Sequence, residues 1–235
     1  MSLTVFAAAS LREAVEEVAA GYEQRHPGSR IVLSFDASSA LRAQIVEGAP
    51  VDVFLSADTM DPEQLAEAGL TTGSPQPIAM NGLAIVVPDR PGAAVEAWQD
   101  LAAPGVSVVA AGREVPITRY AETLIERLAG RPDAPAGFLD AVHGNVVSRE
   151  DNVRAVLAKV ALNEGDAGIV YTTDARSSEQ VRVLPLPPGL DVPVTYGGVA
   201  LRAAPHPLEA ADFLQFLRGP DSQAVLRRHG FGPPP

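Results

Sequence analysis

The sequence predicts an α/β protein in two lobes, each a mostly parallel sheet flanked by helices. Three observations predict it. Apolar strand-like runs alternate with helix-patterned stretches from the first residues, and βαβαβα order implies a parallel sheet. A second block of the same kind begins near Met80-Asn81. The chain then returns near Val194-Thr195 and closes with two amphipathic helices. One lobe is accordingly assigned residues 1–81 and 195–235, and the other residues 82–194.

The elements follow in order. Thr4 to Ala9 reads as a buried strand. Leu11, Ala14, Val15, Val18, Ala19 and Tyr22 then keep the spacing of one helix face, and Pro27-Gly28 ends that helix. "RIVLSF" is the second strand, and "ASSALRAQIVEG" repeats the opening design: strand, serine, helix. "DVFLSAD" is the third strand, with a short helix through Leu70. In the second block "NGLAIVVP" and "VSVVA" read as strands, and "EVPITRYAETLIERLAG" as a helix with an early proline. "SREDNVRAVLAKVALNEG" reads as a helix entered at Ser148. "AGIVYTTDA", "VRVLPL" and "VTYGGVALR" read as strands, the first ending at Tyr171. Helices over Leu208–Leu217 and Asp221–His229 follow, and "GFGPPP" reads as a frayed tail.

Composition narrows the function. A chain of 235 residues with 46% apolar and 20% charged residues is ordinary for a soluble globular protein. A net charge of −11 argues against nucleic acid, whose binding needs basic surface. The absence of cysteine excludes disulfides, thiolate metal sites and a cysteine nucleophile. No apolar run approaches the ~18–20 residues that span a bilayer. "MSLTVF" runs straight into a strand, so the expectation is a cytosolic protein or a sequence that starts after its export signal.

Four helix starts share one form: Ser10, Ser38-Ser39, Pro116-Ile117 and Asp151-Asn152-Val153. The first turn of a helix leaves N–H groups without intrahelical partners, and the helix dipole adds partial positive charge there. In open α/β sheets such starts gather at the carboxyl edge of the strands, where ligands bind. Together they predict a neutral site for an anion. Each serine alone reads as an ordinary N-cap. The repetition, the doubled serine of "ASS" and a tyrosine closing a buried strand at Tyr171 favour the ligand.

Enzyme signals are weak. There is no G-x-G-x-x-G, P-loop, G-x-S-x-G or H-E-x-x-H. His26, His143, His206 and His229 fall in loop or terminal segments, away from the serines in sequence. Asp36, Glu150 and Asp151 could serve metal or acid–base work, although Asp151 at a helix start suits the dipole. The "SAD" of Ser56–Asp58 reads as another cap, and Arg12 and Arg119, in first turns, as solvated or paired.

The segments "TVFAAASL", "SFDASSAL", "GAPVDVFLSAD", "VPITRYAE", "EDNVRAVLAKVALNEGDAGIVYTTDA" and "GPDSQAVLRRHGFG" resemble the molybdate-binding proteins of bacterial ABC importers. The resemblance runs from the first strand to the last helix. It implies the type II periplasmic-binding-protein fold, with two lobes joined by two crossing strands and closing on a tetrahedral oxyanion. It implies the ligands Ser10 and Ser38, through hydroxyl and backbone N–H; Ile117 and Val153, through backbone N–H; and Tyr171, through its phenol. It also implies molybdate or tungstate as ligand, no cofactor, no side chain coordinating the metal, a monomer, and a membrane permease as partner. The implied place is the periplasm or the outer face of the membrane, with or without a lipid anchor.

One departure is expected to matter. Where the family has small residues after "VP", this chain has Ile117 and Thr118, adding bulk and a hydroxyl at the wall of the site. The alternatives are the same fold binding another oxyanion such as sulfate, a serine-dependent enzyme, and a cytosolic sensor domain.

Overall fold

Ser2–Ala8 forms β1, in which Leu3, Val5 and Ala7 have no exposed surface and Phe6 and Ala8 almost none. Burial on both faces is what a central parallel strand requires. The computed structural model describes residues 2–235. After β1 come a 3-10 turn (Ala9–Leu11), α1 (Arg12–Arg25), β2 (Arg30–Asp36), α2 (Ser38–Val46), β3 (Val53–Ser56), α3 (Met60–Glu67) and β4 (Thr71–Asn81). Next are β5 (Leu83–Pro88), a 3-10 turn (Trp98–Ala102), β6 (Val108–Ala111), α4 (Pro116–Ala129), α5 (Phe138–Gly144) and β7 (Val146–Glu150). Then follow α6 (Val153–Ala161), β8 (Ala167–Tyr171), α7 (Thr172–Arg176), β9 (Val181–Leu184), β10 (Val194–Leu201), α8 (Pro207–Arg218) and α9 (Pro220–Arg228).

The chain divides into two compact units. One runs to Asn81 and resumes at Val194–Pro235; the other is Gly82–Pro193. The first unit holds one sheet in the order β2-β1-β3-β10-β4, the second a sheet in the order β7-β6-β8-β5-β9. In the first, β1 is parallel to β2 and β3, and β10 is antiparallel to β3 and β4. In the second, β6 is parallel to β7 and β8, and β5 is antiparallel to β8 and β9. Each sheet therefore has a parallel majority with one reversed strand, and that strand is where the chain enters or re-enters the unit. Phe6, Leu41, Ile45, Phe54, Leu65 and Val199 form a buried cluster of the first unit, each large side chain contributing about 1.5–3 kcal/mol.

Helix ends follow local chemistry. Gly48 (φ +95°) ends α2 by donating to Ile45 O, while Ala49 N reaches Gln44 O; this paired closure needs a residue at ease with positive φ. Three expectations are corrected, and one strand is added that the sequence pattern left unassigned. Thr71–Asn81 is a strand: its Gly73, Pro75 and Pro77 hide the pattern, and a sheet edge with register shifts tolerates them. Ser148 lies in β7, paired with Val109, so the helix expected from Ser148 starts at Val153. His143 sits in α5 rather than a loop. The tail is not frayed through Gly232: Met80 and Gly232 exchange backbone bonds of 2.9 and 2.8 Å, and buried Phe231 sets its ring edge-on to Tyr196.

Candidate oxyanion-binding residues

In the first unit the register Ala8↔Asp36 brings the carboxyl ends of β1 and β2 side by side. Ser10 and Ser38 lie two residues beyond that pair, so both stand at one edge of the sheet. Neither caps its own helix. Ser38 Oγ accepts from Ala57 N at 3.0 Å, just past β3. Ser10 Oγ lies 2.9 Å from Tyr196 Oη, and Asn81 Nδ2 donates to the same phenol at 3.2 Å. The ordinary reading of the serines as caps is thus set aside: their oxygens bond across the sheet edge. Tyr196 and Asn81 are the residues that sequence reasoning missed. The signal was present, since a tyrosine inside the apolar "VTYGGVAL" needs a hydroxyl partner as much as Tyr171 does.

The second unit brings its own three residues to one carboxyl edge. Ile117 follows β6, Val153 follows β7 and Tyr171 ends β8, and β7, β6 and β8 are adjacent parallel strands. At the start of α4, Pro116 has no N–H and Thr118 N bonds to Val115 O at 3.0 Å. The remaining first-turn donor is Ile117 N–H. At the start of α6, Asn152 Oδ1 takes Ala155 N at 3.1 Å and Asn152 O takes Val156 N. Capping leaves the N–H of Val153 without an intrahelical acceptor. Gly168 lets α6 press onto the sheet: a Cβ there would meet Val156 at 2.9 Å and the Val109 carbonyl at 3.2 Å.

At the Ile117-Thr118 departure both side chains are engaged within their own unit. Thr118 Oγ1 bonds to the carbonyls of Gly112 (2.7 Å) and Ala111 (3.2 Å), so its hydroxyl is spent on the backbone. Ile117 is buried and lines a cavity of about 30 Å³ within the second unit, with Val109, Ile125, Val142 and Ile169.

Charged groups near these positions are engaged within their own units. Arg12 stacks on Phe35 at 4.3 Å and pairs with Glu16. Arg154 Nε lies 2.7 Å from the fully buried Asp174. Lys159 meets Glu150 at 2.8 Å. Burial works against the Glu150 carboxylate, but hydrogen bonds from Lys159 and Ser148 and the Lys159 charge outweigh it and hold the group below its usual range. Asp58, of "SAD", takes the Asp61 N–H at the start of α3. The histidines pair elsewhere: His26 with Asp212, His143 with Glu122, His206 beside Asp52, His229 with Glu17. Among the described residues no three His, Asp or Glu side chains could hold a metal, and no helix is long and apolar enough to cross a membrane.

Residues 3–232 match the family described as bacterial extracellular solute-binding protein. The chain is 33% identical over 234 residues to the molybdate-binding protein ModA of Mycobacterium bovis, covering 99% of this chain and 85% of that one. Its fold is similar to the periplasmic molybdate-binding protein of Azotobacter vinelandii (TM-score 0.83, 24% identity, 99% and 100% of the two chains). It is also similar to the sulfate-binding protein SubI of Mycobacterium tuberculosis (TM-score 0.85, 19% identity, 99% and 87%).

Proposed function

The chain belongs to the bacterial extracellular solute-binding protein family, and from that premise we propose that it binds molybdate, and also tungstate, as a monomer that hands the anion to a membrane permease outside the cytoplasm. One anion takes Ser10 and Ser38 from the first unit and Ile117, Val153 and Tyr171 from the second. The observation that carries this reading is the gathering of uncharged donors at the carboxyl edge of the parallel strands in each unit. No acid or base is needed for such a task, so the serines act as donors and not as nucleophiles.

Hydrogen bonds to a charged acceptor contribute about 1.5–3 kcal/mol each. Five or more give a gross of about 10 kcal/mol, reduced by desolvation and by bringing the units together, which still allows sub-micromolar affinity. Surface charge of the wrong sign is screened over about 8 Å, while first-turn dipoles act at contact. Molybdate and tungstate are nearly equal in size, so donors alone do not separate them. Sulfate is smaller and cannot reach every donor at once.

Competition calorimetry tests the reading. Molybdate is expected to displace sulfate, and Ser10→Ala or Ser38→Ala to weaken molybdate about tenfold or more. A preference for sulfate, or unchanged affinity in both variants, would refute it.

A further inference from the structure

We propose that Asn81 and Tyr196 are positioning residues that orient the Ser10 hydroxyl, turning its hydrogen toward the anion and so favouring oxyanions that carry no proton. The inference rests on the reading of Ser10 as an oxyanion ligand. Asn81 Nδ2, a group that can only donate, lies 3.2 Å from Tyr196 Oη. Tyr196 Oη in turn lies 2.9 Å from Ser10 Oγ. In a phenol–alcohol pair the phenol is the stronger acid and the better donor. Accepting from Asn81 strengthens that tendency, because a hydroxyl that accepts becomes a better donor. Tyr196 therefore donates to Ser10, which occupies one lone pair of the Ser10 oxygen on the side away from the site and turns the serine hydrogen outward.

Ser38 carries the same arrangement in a simpler form. Its oxygen accepts from the Ala57 backbone N–H, which has no second role open to it. Two serines just past neighbouring strands are thus each backed by a donor. The relay is also held in place. Tyr196 has no exposed surface and sets its ring edge-on to Phe231 at 5.4 Å. Asn81 closes β4 opposite Val194, at the start of the strand that carries Tyr196. Monohydrogen phosphate brings an O–H that needs an acceptor. Molybdate brings none.

Titration calorimetry at pH 8 with molybdate and with inorganic phosphate, directly or by displacement, tests the relay. Tyr196→Phe removes it. Asn81→Asp reverses it, because a carboxylate at residue 81 draws the Tyr196 proton and leaves Ser10 to donate inward. Both variants are expected to weaken molybdate about tenfold and to narrow the molybdate-to-phosphate ratio by about the same factor. In a Ser10→Ala background, Tyr196→Phe is expected to change molybdate affinity by less than about twofold. A Tyr196→Phe protein that melts lower but keeps both affinities within about twofold would overturn the relay, as would additive effects in the double variant. Should Tyr196→Phe not fold, Asn81→Asp carries the same ratio test. These failures leave wild-type molybdate binding intact. A wild-type protein that binds no molybdate would instead overturn the reading of the site, and the relay with it.

Discussion

Arg154 in α6 and Asp174 in α7 form an ion pair of 2.7 Å in which the carboxylate has no exposed surface. The pair ties the helix that begins at Val153 to the helix that follows Tyr171. Removing one partner of a buried pair leaves an uncompensated charge and costs about 3–5 kcal/mol. Arg154→Leu is expected to lose stability in that range by urea unfolding, with weaker molybdate binding, and Asp174→Ala added to it should recover part of the loss. A change below about 1 kcal/mol would contradict the role given to the pair.

Val153 offers its backbone, so the side chain and the N–H can be tested apart. It is the first residue of α6, and Asn152 before it is extended (φ −154°, ψ 171°). Proline is at home at such a position and its predecessor is already in the conformation it favours. Val153→Pro should fold, keep its helix by circular dichroism, and weaken molybdate about tenfold or more. Val153→Ala should bind within a few-fold of wild type. Equal binding by both variants would remove this N–H from the site.

The Glu150–Lys159 contact predicts a pH dependence. The folded-state pKa of Glu150 is lowered, so its carboxylate stabilises the fold above the unfolded value of about 4.3. That contribution is lost as pH falls through the lower folded value. Glu150→Gln should therefore melt below wild type at pH 7, with a gap that closes as pH drops below about 4. A gap that stays constant on acidification would contradict the assignment.

Gly168 sets how closely α6 lies on β8. Gly168→Ala forces contacts of 2.9 Å with Val156 and 3.2 Å with the Val109 carbonyl. Overpacking of this kind costs about 1–3 kcal/mol. Thermal melting should drop accordingly and anion affinity should fall as the α6 start shifts; an unchanged melting temperature would show that the helix moves freely.

What the sequence revealed depended on burial. The central strands β1, β3 and β8 were legible because burial on both faces makes them unbroken apolar runs, and α1 because its five buried positions repeat with helical spacing. The edge strands β4 and β7 were not, since prolines, glycines and exposed Val147 break their patterns and only pairing defines them. The helix starts at Ser10, Ser38, Ile117 and Val153 followed from strand–helix junctions. The partners behind them did not: Tyr196 lies 186 residues from Ser10, and only the antiparallel return of β10 brings the two together.

The most direct measurement is anomalous scattering at the molybdenum edge from crystals grown with molybdate. The account predicts one strong peak whose oxygens lie within hydrogen-bond distance of Ser10 and Ser38 Oγ, the Ile117 and Val153 nitrogens, and Tyr171 Oη. A peak elsewhere, or one served by the residues of a single unit, would contradict it.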